Sequence, residues 1–212
     1  MVDYIGFATA VFMSFFAVMN PIANTPLFLI LTSNKNTLAR KKIARNSVIV
    51  AFIITFIFCL VGNKIFLVFG ITLPAFKITG GFLIVLIGFE SLHGKQSSVQ
   101  RPSLKAHEES AESDLNVAVS PLGIPLLAGP GTITTAVNFV SSGHPIKMLI
   151  TILSFASLCL ITYICFLFSK EIKKFLGQIG VNVVTRLMGL ILSVVGVDMM
   201  IDGLKGAFPF MN

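Results

Sequence analysis

Residues 19–26 read Met-Asn-Pro-Ile-Ala-Asn-Thr-Pro, and residues 121–135 read Pro-Leu-Gly-Ile-Pro-Leu-Leu-Ala-Gly-Pro-Gly-Thr-Ile-Thr-Thr. Both stretches lie well inside long apolar segments. A proline within a helix lacks the backbone N–H and clashes with the carbonyl four residues earlier. The residue before a proline also avoids helical backbone angles. The two stretches therefore predict helices that are interrupted inside apolar spans.

The chain around these stretches is too apolar for a water-soluble protein. Of its 212 residues, 55% are hydrophobic and only 12% are charged, whereas a soluble domain carries about 25% charged residues. The mean hydropathy is +0.90. The net charge of +7 is scattered between apolar runs, which argues against a nucleic-acid-binding face. Composition predicts an integral membrane protein whose surroundings are the lipid bilayer.

Six apolar segments are long enough to cross a membrane, since a spanning helix needs about 20 residues. The charge before the first segment is Asp3, which is untypical of a cleavable signal peptide. We therefore expect an all-α membrane protein with six transmembrane helices. The predicted spans are about 5–32, 43–69, 73–92, 117–140, 146–168 and 181–204.

Basic residues are distributed unevenly between the loops. The first, third and fifth loops hold eleven of them, against three on the other side. Because cytoplasmic loops carry an excess of Lys and Arg, these loops are predicted to be cytoplasmic and both termini to lie outside. The eleven are Lys35, Arg40, Lys41, Lys42, Arg45, Lys95, Arg101, Lys105, Lys170, Lys173 and Lys174.

The chain divides into two halves, 1–95 and 117–212, joined by a polar cytoplasmic linker at 96–116. A shift of 109 residues places Asn20-Pro21 on Gly129-Pro130, and a shift of 108 places Gly81, Gly88 and Glu90 on Gly189, Gly196 and Asp198. Each half has three spans, so the halves must insert in opposite senses. The pattern predicts two inverted three-helix repeats in which helices 1 and 4 are broken near the membrane middle.

Polar and small residues accompany both interruptions. Irregular backbone at membrane depth is tolerated only against protein or a wet cavity, and paired Pro/Gly-interrupted segments point to a transporter binding site. The alternative is a pair of ordinary proline kinks whose Thr hydroxyls bond back to their own helices. The predicted substrate-binding residues are Asn20, Pro21, Ala23, Asn24, Thr25, Gly129, Pro130, Gly131, Thr132 and Thr134.

Three acids lie at or near the ends of spans 3 and 6, namely Glu90, Asp198 and Asp202. Ionisable residues near membrane depth are candidates for coupling or gating, although interfacial water could equally solvate these three. Lys77 and Arg186 are expected to extend to the membrane surface. No cofactor and no metal site is predicted, and a proton or a sodium ion is the possible coupling ion.

The motifs at 20–26 and 121–134, with Asn-Val-Val-Thr-Arg-Leu-Met-Gly at 182–189 and the ending at 203–209, resemble the MarC family of bacterial six-span membrane proteins. The resemblance extends over essentially the whole chain. It implies a neutral amino acid transporter fold in the inner membrane, with glycine- and alanine-like substrates for some members. It does not define the substrate of this chain.

The leading hypothesis is a secondary transporter of a small neutral solute, most simply a glycine- or alanine-type amino acid. A zwitterion suits two half-helix ends of opposite polarity, and no nucleotide-binding loop is present to supply ATP energy. A channel, or a sensor-like protein without substrate-coupled transport, is the alternative. Enzyme motifs such as His-Glu-x-x-His and Gly-x-Ser-x-Gly do not occur, so no enzymatic activity is expected. Homo-oligomerisation is left open.

Overall fold

The structure, a computed structural model, describes residues 4–32, 35–93, 122–123 and 126–208, with only the backbone described for 62–69. The predicted linker at 96–116 and the first residues of the fourth predicted span lie outside this described part. Within it, the secondary structure is helical. The seven α-helices among the described residues are α1 (Tyr4–Met19), α2 (Pro21–Leu31), α3 (Thr37–Phe69), α4 (Leu73–Leu92), α5 (Pro130–Val140), α6 (Pro145–Leu167) and α7 (Ser169–Ala207).

Among the described residues, five helical stretches are long and apolar enough to cross a membrane: α1 together with α2, Thr37–Val61 of α3, α4, α6 and α7. They coincide with five of the six predicted spans. The described end of the remaining span, 117–140, is the 11-residue helix α5. The sequence explains why α4 begins at Leu73. Thr72 caps the helix by accepting a hydrogen bond from the N–H of Ala75 at 3.3 Å. Pro74 lies in the first helical turn, where a missing N–H costs nothing.

Two predicted basic loops are in part helical. Helix α3 begins at Thr37, so Arg40, Lys41, Lys42 and Arg45 lie on its first turns, where Asn36 accepts a hydrogen bond from the N–H of Ala39 at 2.8 Å. Helix α7 begins at Ser169 and includes the lysines of the predicted fifth loop. These loops were predicted as the polar segments between apolar spans, but Lys and Arg are also good helix formers, so a charged segment can continue a helix.

Aromatic side chains pack α1 and α2 against α6. The rings of Phe28 and Phe166 stack with centroids 4.4 Å apart, and those of Phe15 and Phe155 lie 4.9 Å apart. All four are fully buried. Outward-facing apolar side chains, such as Leu160 and Val194, remain exposed on the helix surfaces, as expected of helices that face lipid. The first core of the molecule is thus built from α1, α2 and α6 together with α3 and α5.

Helices α4 and α7 pack through glycines, without intervening side chains. Gly81 lies opposite Gly196, and Gly88 lies opposite Gly189. A Cβ at Gly88 would lie 2.7 Å from the carbonyl oxygen of Gly189, and a Cβ at Gly189 would lie 2.7 Å from that of Gly88. From Gly81 to Gly88 along α4, the facing residue on α7 changes from Gly196 back to Gly189, so the two helices are antiparallel. Small residues permit this backbone approach, which is a common basis of helix association in membranes.

Candidate functional site

The helix axis is interrupted at Asn20, between α1 and α2. Its backbone has φ 39° and ψ 69°, and among the described residues other than glycine it alone has a positive φ. Asparagine tolerates this left-handed conformation better than most residues. Its Oδ1 accepts a hydrogen bond from the N–H of Ala23 at 3.3 Å, which caps α2. Pro21 occupies the first helical position, where it needs no backbone donor.

Two further polar side chains satisfy backbone carbonyls at this interruption. The Nδ2 of Asn24 donates a hydrogen bond to the carbonyl of Met19, the last residue of α1, at 2.7 Å. The hydroxyl of Thr25 donates to the carbonyl of Pro21 at 3.0 Å. Both side chains are buried. Pro26 lies inside α2 and does not end it.

The second stretch has irregular backbone before α5. The N–H of Ala128 donates to the carbonyl of Gly123, five residues earlier, at 3.0 Å, and Gly129 is extended with φ −74° and ψ 175°. The hydroxyl of Thr132 donates to the carbonyl of Leu127 at 2.9 Å. Back-bonding of this kind is what the proline-kink alternative expects of the Thr hydroxyls, and it leaves the hydroxyl oxygen free only to accept.

A small cavity lies where α1, α2, α4 and α7 meet the second stretch. It has about 30 Å³ of space for the centres of water molecules, which is room for about two of them. The described lining includes no charged side chain, and its polar members are amides and hydroxyls. The lining residues are Ala17, Val18, Asn20, Ala23, Asn24, Ile87, Ser91, Leu126, Thr185 and Leu192.

Three predicted substrate-binding residues, Asn20, Ala23 and Asn24, line this cavity. Of the second predicted set, none lines it directly. Gly131 lies just behind the wall, since a Cβ there would be 3.1 Å from Cγ1 of Val18 and 3.3 Å from Cδ1 of Ile87. The stretch at 121–135 reaches the cavity itself through Leu126. The structure thus brings the first stretch to the cavity and places the second against its wall.

Two residues that line the cavity, Ser91 and Thr185, were not among the substrate-binding residues predicted from the sequence. The hydroxyl of Thr185 donates to the carbonyl of Val181 at 2.7 Å inside α7. Ser91 likewise bonds to Ile87 at 2.8 Å inside α4. Each is one turn from a close-packing glycine, Gly88 or Gly189. In the sequence, this spacing from a glycine is the feature that could have identified Ser91 and Thr185 as candidate cavity residues.

Comparison with known proteins relates the chain to a family of integral membrane proteins. The family model described as "MarC family integral membrane protein" matches residues 5–208. The chain belongs to the MarC family. It is 42% identical to the UPF0056 membrane protein YvbG of Bacillus subtilis over 97% of this chain and 98% of that relative. It is 32% identical to the UPF0056 membrane protein YhcE of Escherichia coli over 93% and 92%. No solved structure gives a significant match.

The acids proposed for coupling in this MarC protein do not line the cavity. Oδ2 of Asp202 lies 3.5 Å from Nζ of Lys77 in an ion pair between α7 and α4. Lys77 therefore pairs with a carboxylate, a contact that the sequence analysis did not predict. Asp198 is exposed, while Glu90 is partly buried and precedes the cavity residue Ser91. Asp202 is more than half exposed, so the pair contributes little to stability.

Three buried oxygen atoms of the MarC protein have no hydrogen-bond partner within the described part of the chain. They are Oγ1 of Thr55 on α3, and Oγ1 of Thr135 and Oδ1 of Asn138 on α5. Helices α3 and α5 pack against each other. An unpartnered buried polar atom is costly, and native structures usually satisfy such atoms with water or an ion.

Proposed function

We propose that this MarC protein is a secondary transporter of small neutral amino acids of the glycine and alanine type, located in the inner membrane with both termini periplasmic. The observation that carries the proposal is the cavity at the Asn20 interruption. It combines amide and hydroxyl groups with small apolar side chains and, among the described lining residues, no charge. A site of this kind suits a ligand that is polar but neutral overall.

The zwitterionic part of an amino acid fits the polarity of the interruption. Helix α1 ends at Met19 and α2 begins at Pro21, so a helix C-terminus and a helix N-terminus meet at Asn20. The C-terminal end carries partial negative charge and the N-terminal end partial positive charge. An ammonium group would bind towards the end of α1, and a carboxylate towards the first turn of α2. Discontinuous helices serve transporters in this way.

The size of the cavity supports a substrate with a small side chain. Ala17, Val18 and Ala23 restrict the space beside the two asparagine amides. Since the cavity has room for about two water molecules, binding even glycine requires α1 and α2 to separate from α4 and α7. The described conformation then corresponds to a contracted state of the transport cycle.

The reciprocal glycine contacts support an inverted repeat with a broken helix in each half. A shift of 108 residues moves Gly81 to Gly189 and Gly88 to Gly196. The contact between Gly81 and Gly196 is thereby exchanged with the contact between Gly88 and Gly189. A pseudo-twofold axis between α4 and α7 would produce this exchange. Such an axis would also relate the interruptions at Asn20 and Gly129, which are 109 residues apart in the sequence, in opposite halves near the membrane middle.

Transport without ATP needs an ion or solute gradient. The carboxylates of Glu90, Asp198 and Asp202 are the candidates for proton coupling. The buried, unpartnered oxygens of Thr135 and Asn138 are candidates for sodium coupling, because hard cations take oxygen ligands. Uptake driven by a pH difference, compared with uptake driven by a sodium gradient, distinguishes the two groups.

The test is uptake by purified protein in liposomes, using labelled glycine, alanine, leucine and glutamate with and without the two gradients. We expect saturable uptake of glycine and alanine that a gradient stimulates, and weaker uptake of the larger or charged amino acids. Flux that neither saturates nor responds to a gradient would indicate a channel. Absence of saturable uptake of every amino acid would refute the proposal.

A matched variant links this activity to the cavity. Asn20→Gly removes the side chain and substitutes a residue that adopts positive φ freely. Glycine in place of an N-cap residue lowers helix stability by only a few tenths of a kcal/mol. The variant should fold yet lose about tenfold in substrate affinity, because a bound polar group loses its partner. Leu60→Ala, on an exposed face of α3, is the control. Equal uptake by all three proteins would place the substrate site elsewhere.

A further inference from the structure

The first turns of α7 form a separate short segment, residues 169–176, which we call the basic segment. It begins after the turn at Phe168 and ends at Gly177, whose φ of 60° and ψ of −177° break the helical geometry inside α7. Only glycine adopts that conformation at low cost. The basic segment can therefore take a direction different from that of the rest of α7.

The basic segment is amphipathic. At 100° per residue, Lys170, Lys173 and Lys174 share one face, and Phe175 lies on the opposite face with Ile172 and Leu176. All three lysines are exposed, and the segment has one acid, Glu171. The side chain of Phe175 is 89% exposed, whereas Ile172 and Leu176 are partly buried, so the protein leaves the Phe175 side of the apolar face uncovered.

A bilayer surface satisfies both faces at once. Helices with Lys on one face and Phe or Leu on the other lie in the plane of the interface, with the apolar face in the acyl boundary. Anionic headgroups attract nearby lysines. We propose that the basic segment binds anionic phospholipids, with the ammonium groups of its lysines on the phosphates and the ring of Phe175 between the acyl chains. This proposal is independent of the transport proposal.

The absence of tryptophan from the chain allows a direct test. In Phe175→Trp, the new indole is the only one in the full-length protein, and the position is exposed enough to accept it. The variant is reconstituted in mixed phosphatidylglycerol–phosphatidylcholine liposomes in which one lipid or the other carries brominated acyl chains. We expect brominated phosphatidylglycerol to quench the fluorescence at least about twofold more than equal brominated phosphatidylcholine, because the lysines enrich the anionic lipid nearby.

Three comparisons separate this binding from general attraction to a basic protein. Adding Lys170→Gln, Lys173→Gln and Lys174→Gln should abolish the preference. Removing three charges on α3 instead, with Lys41→Gln, Lys42→Gln and Arg45→Gln, should not change the preference for brominated phosphatidylglycerol. Leu153→Trp, on an exposed part of α6, should be quenched equally by both lipids.

Several results would overturn the proposal. Equal quenching of the Phe175→Trp variant by both lipids would show that no anionic lipid is bound there. No quenching by either lipid would place the segment in water. The preference for phosphatidylglycerol could also persist when the three lysines of the basic segment are changed to Gln, or disappear equally in the α3 variant. Either result would show that these lysines do not form the binding surface.

Discussion

Gly81 of α4 and Gly196 of α7 lie so close that neither has room for a side chain. A Cβ on Gly81 would come within 2.5 Å of the carbonyl oxygen of Gly196, and a Cβ on Gly196 would come within 2.6 Å of that of Gly81. The obstacle in each direction is backbone, which cannot rotate aside as a side chain can. The separation of α4 and α7 therefore depends on both residues being glycine.

Gly81→Ala and Gly196→Ala should each destabilise the protein by about 1–3 kcal/mol, since overpacking must push the helices apart. Thermal unfolding in detergent measures the effect as a lowered midpoint. The control is Gly206→Ala on α7, where a Cβ would meet the side chain of Pro74 without backbone contact, with Cγ at 3.3 Å and Cβ at 3.7 Å. If all three variants unfold at the wild-type temperature, the close approach of α4 and α7 is incorrect.

Asn24→Ala should destabilise the protein by about 1–3 kcal/mol, because it leaves the buried carbonyl of Met19 without its side-chain donor. The hydrogen bond concerned is 2.7 Å long. Asn182→Ala is the matched control, since Asn182 is exposed and bonds only to the exposed end of Gln178. Equal unfolding midpoints for the two variants would contradict a structural role for Asn24.

Ser91→Ala and Thr185→Val should weaken substrate binding about tenfold while leaving stability nearly unchanged. Each hydroxyl donates only to a carbonyl of its own helix, so its loss leaves the helix intact but removes an acceptor from the cavity. Substrate concentration at half-maximal uptake is the measurement. Ser157→Ala and Thr9→Val, which remove the same kind of bond at exposed positions, should behave as wild type. Unchanged affinity in the cavity variants would show that substrate does not contact this wall.

The proposed orientation, with both termini outside, is based on eleven basic residues against three and can be tested by cysteine labelling. In a background without Cys59, Cys159 and Cys165, an impermeant thiol reagent added to intact cells should label Lys205→Cys and should not label Lys173→Cys. Both positions are exposed, so access to the membrane side decides the result. The reverse pattern would place both termini in the cytoplasm.

Local sequence patterns were sufficient to predict most of the helices, and Pro21 lies where α1 ends and α2 begins. Apolar length predicts a spanning helix because lipid imposes the same requirement on every segment, and Pro21 marks the interruption because it cannot donate. The cavity wall formed by Ser91 and Thr185 could not be predicted in this way. Ser91 and Thr185 line the same cavity because Gly88 and Gly189 bring α4 and α7 together. The sequence around each residue does not distinguish it from an ordinary hydroxyl within a helix.

The aromatic stacks described for Phe15 and Phe28 also bear on which parts of the molecule can move. They attach both halves of the first interrupted span to α6, while glycine contacts attach α4 to α7. The two groups meet through a smaller apolar cluster that contains Val18 and Ile87, and both of these residues line the cavity. If the protein transports as proposed, a solute held there would lie between these two groups of helices. Movement of one group against the other would then open and close its path without unfolding a helix.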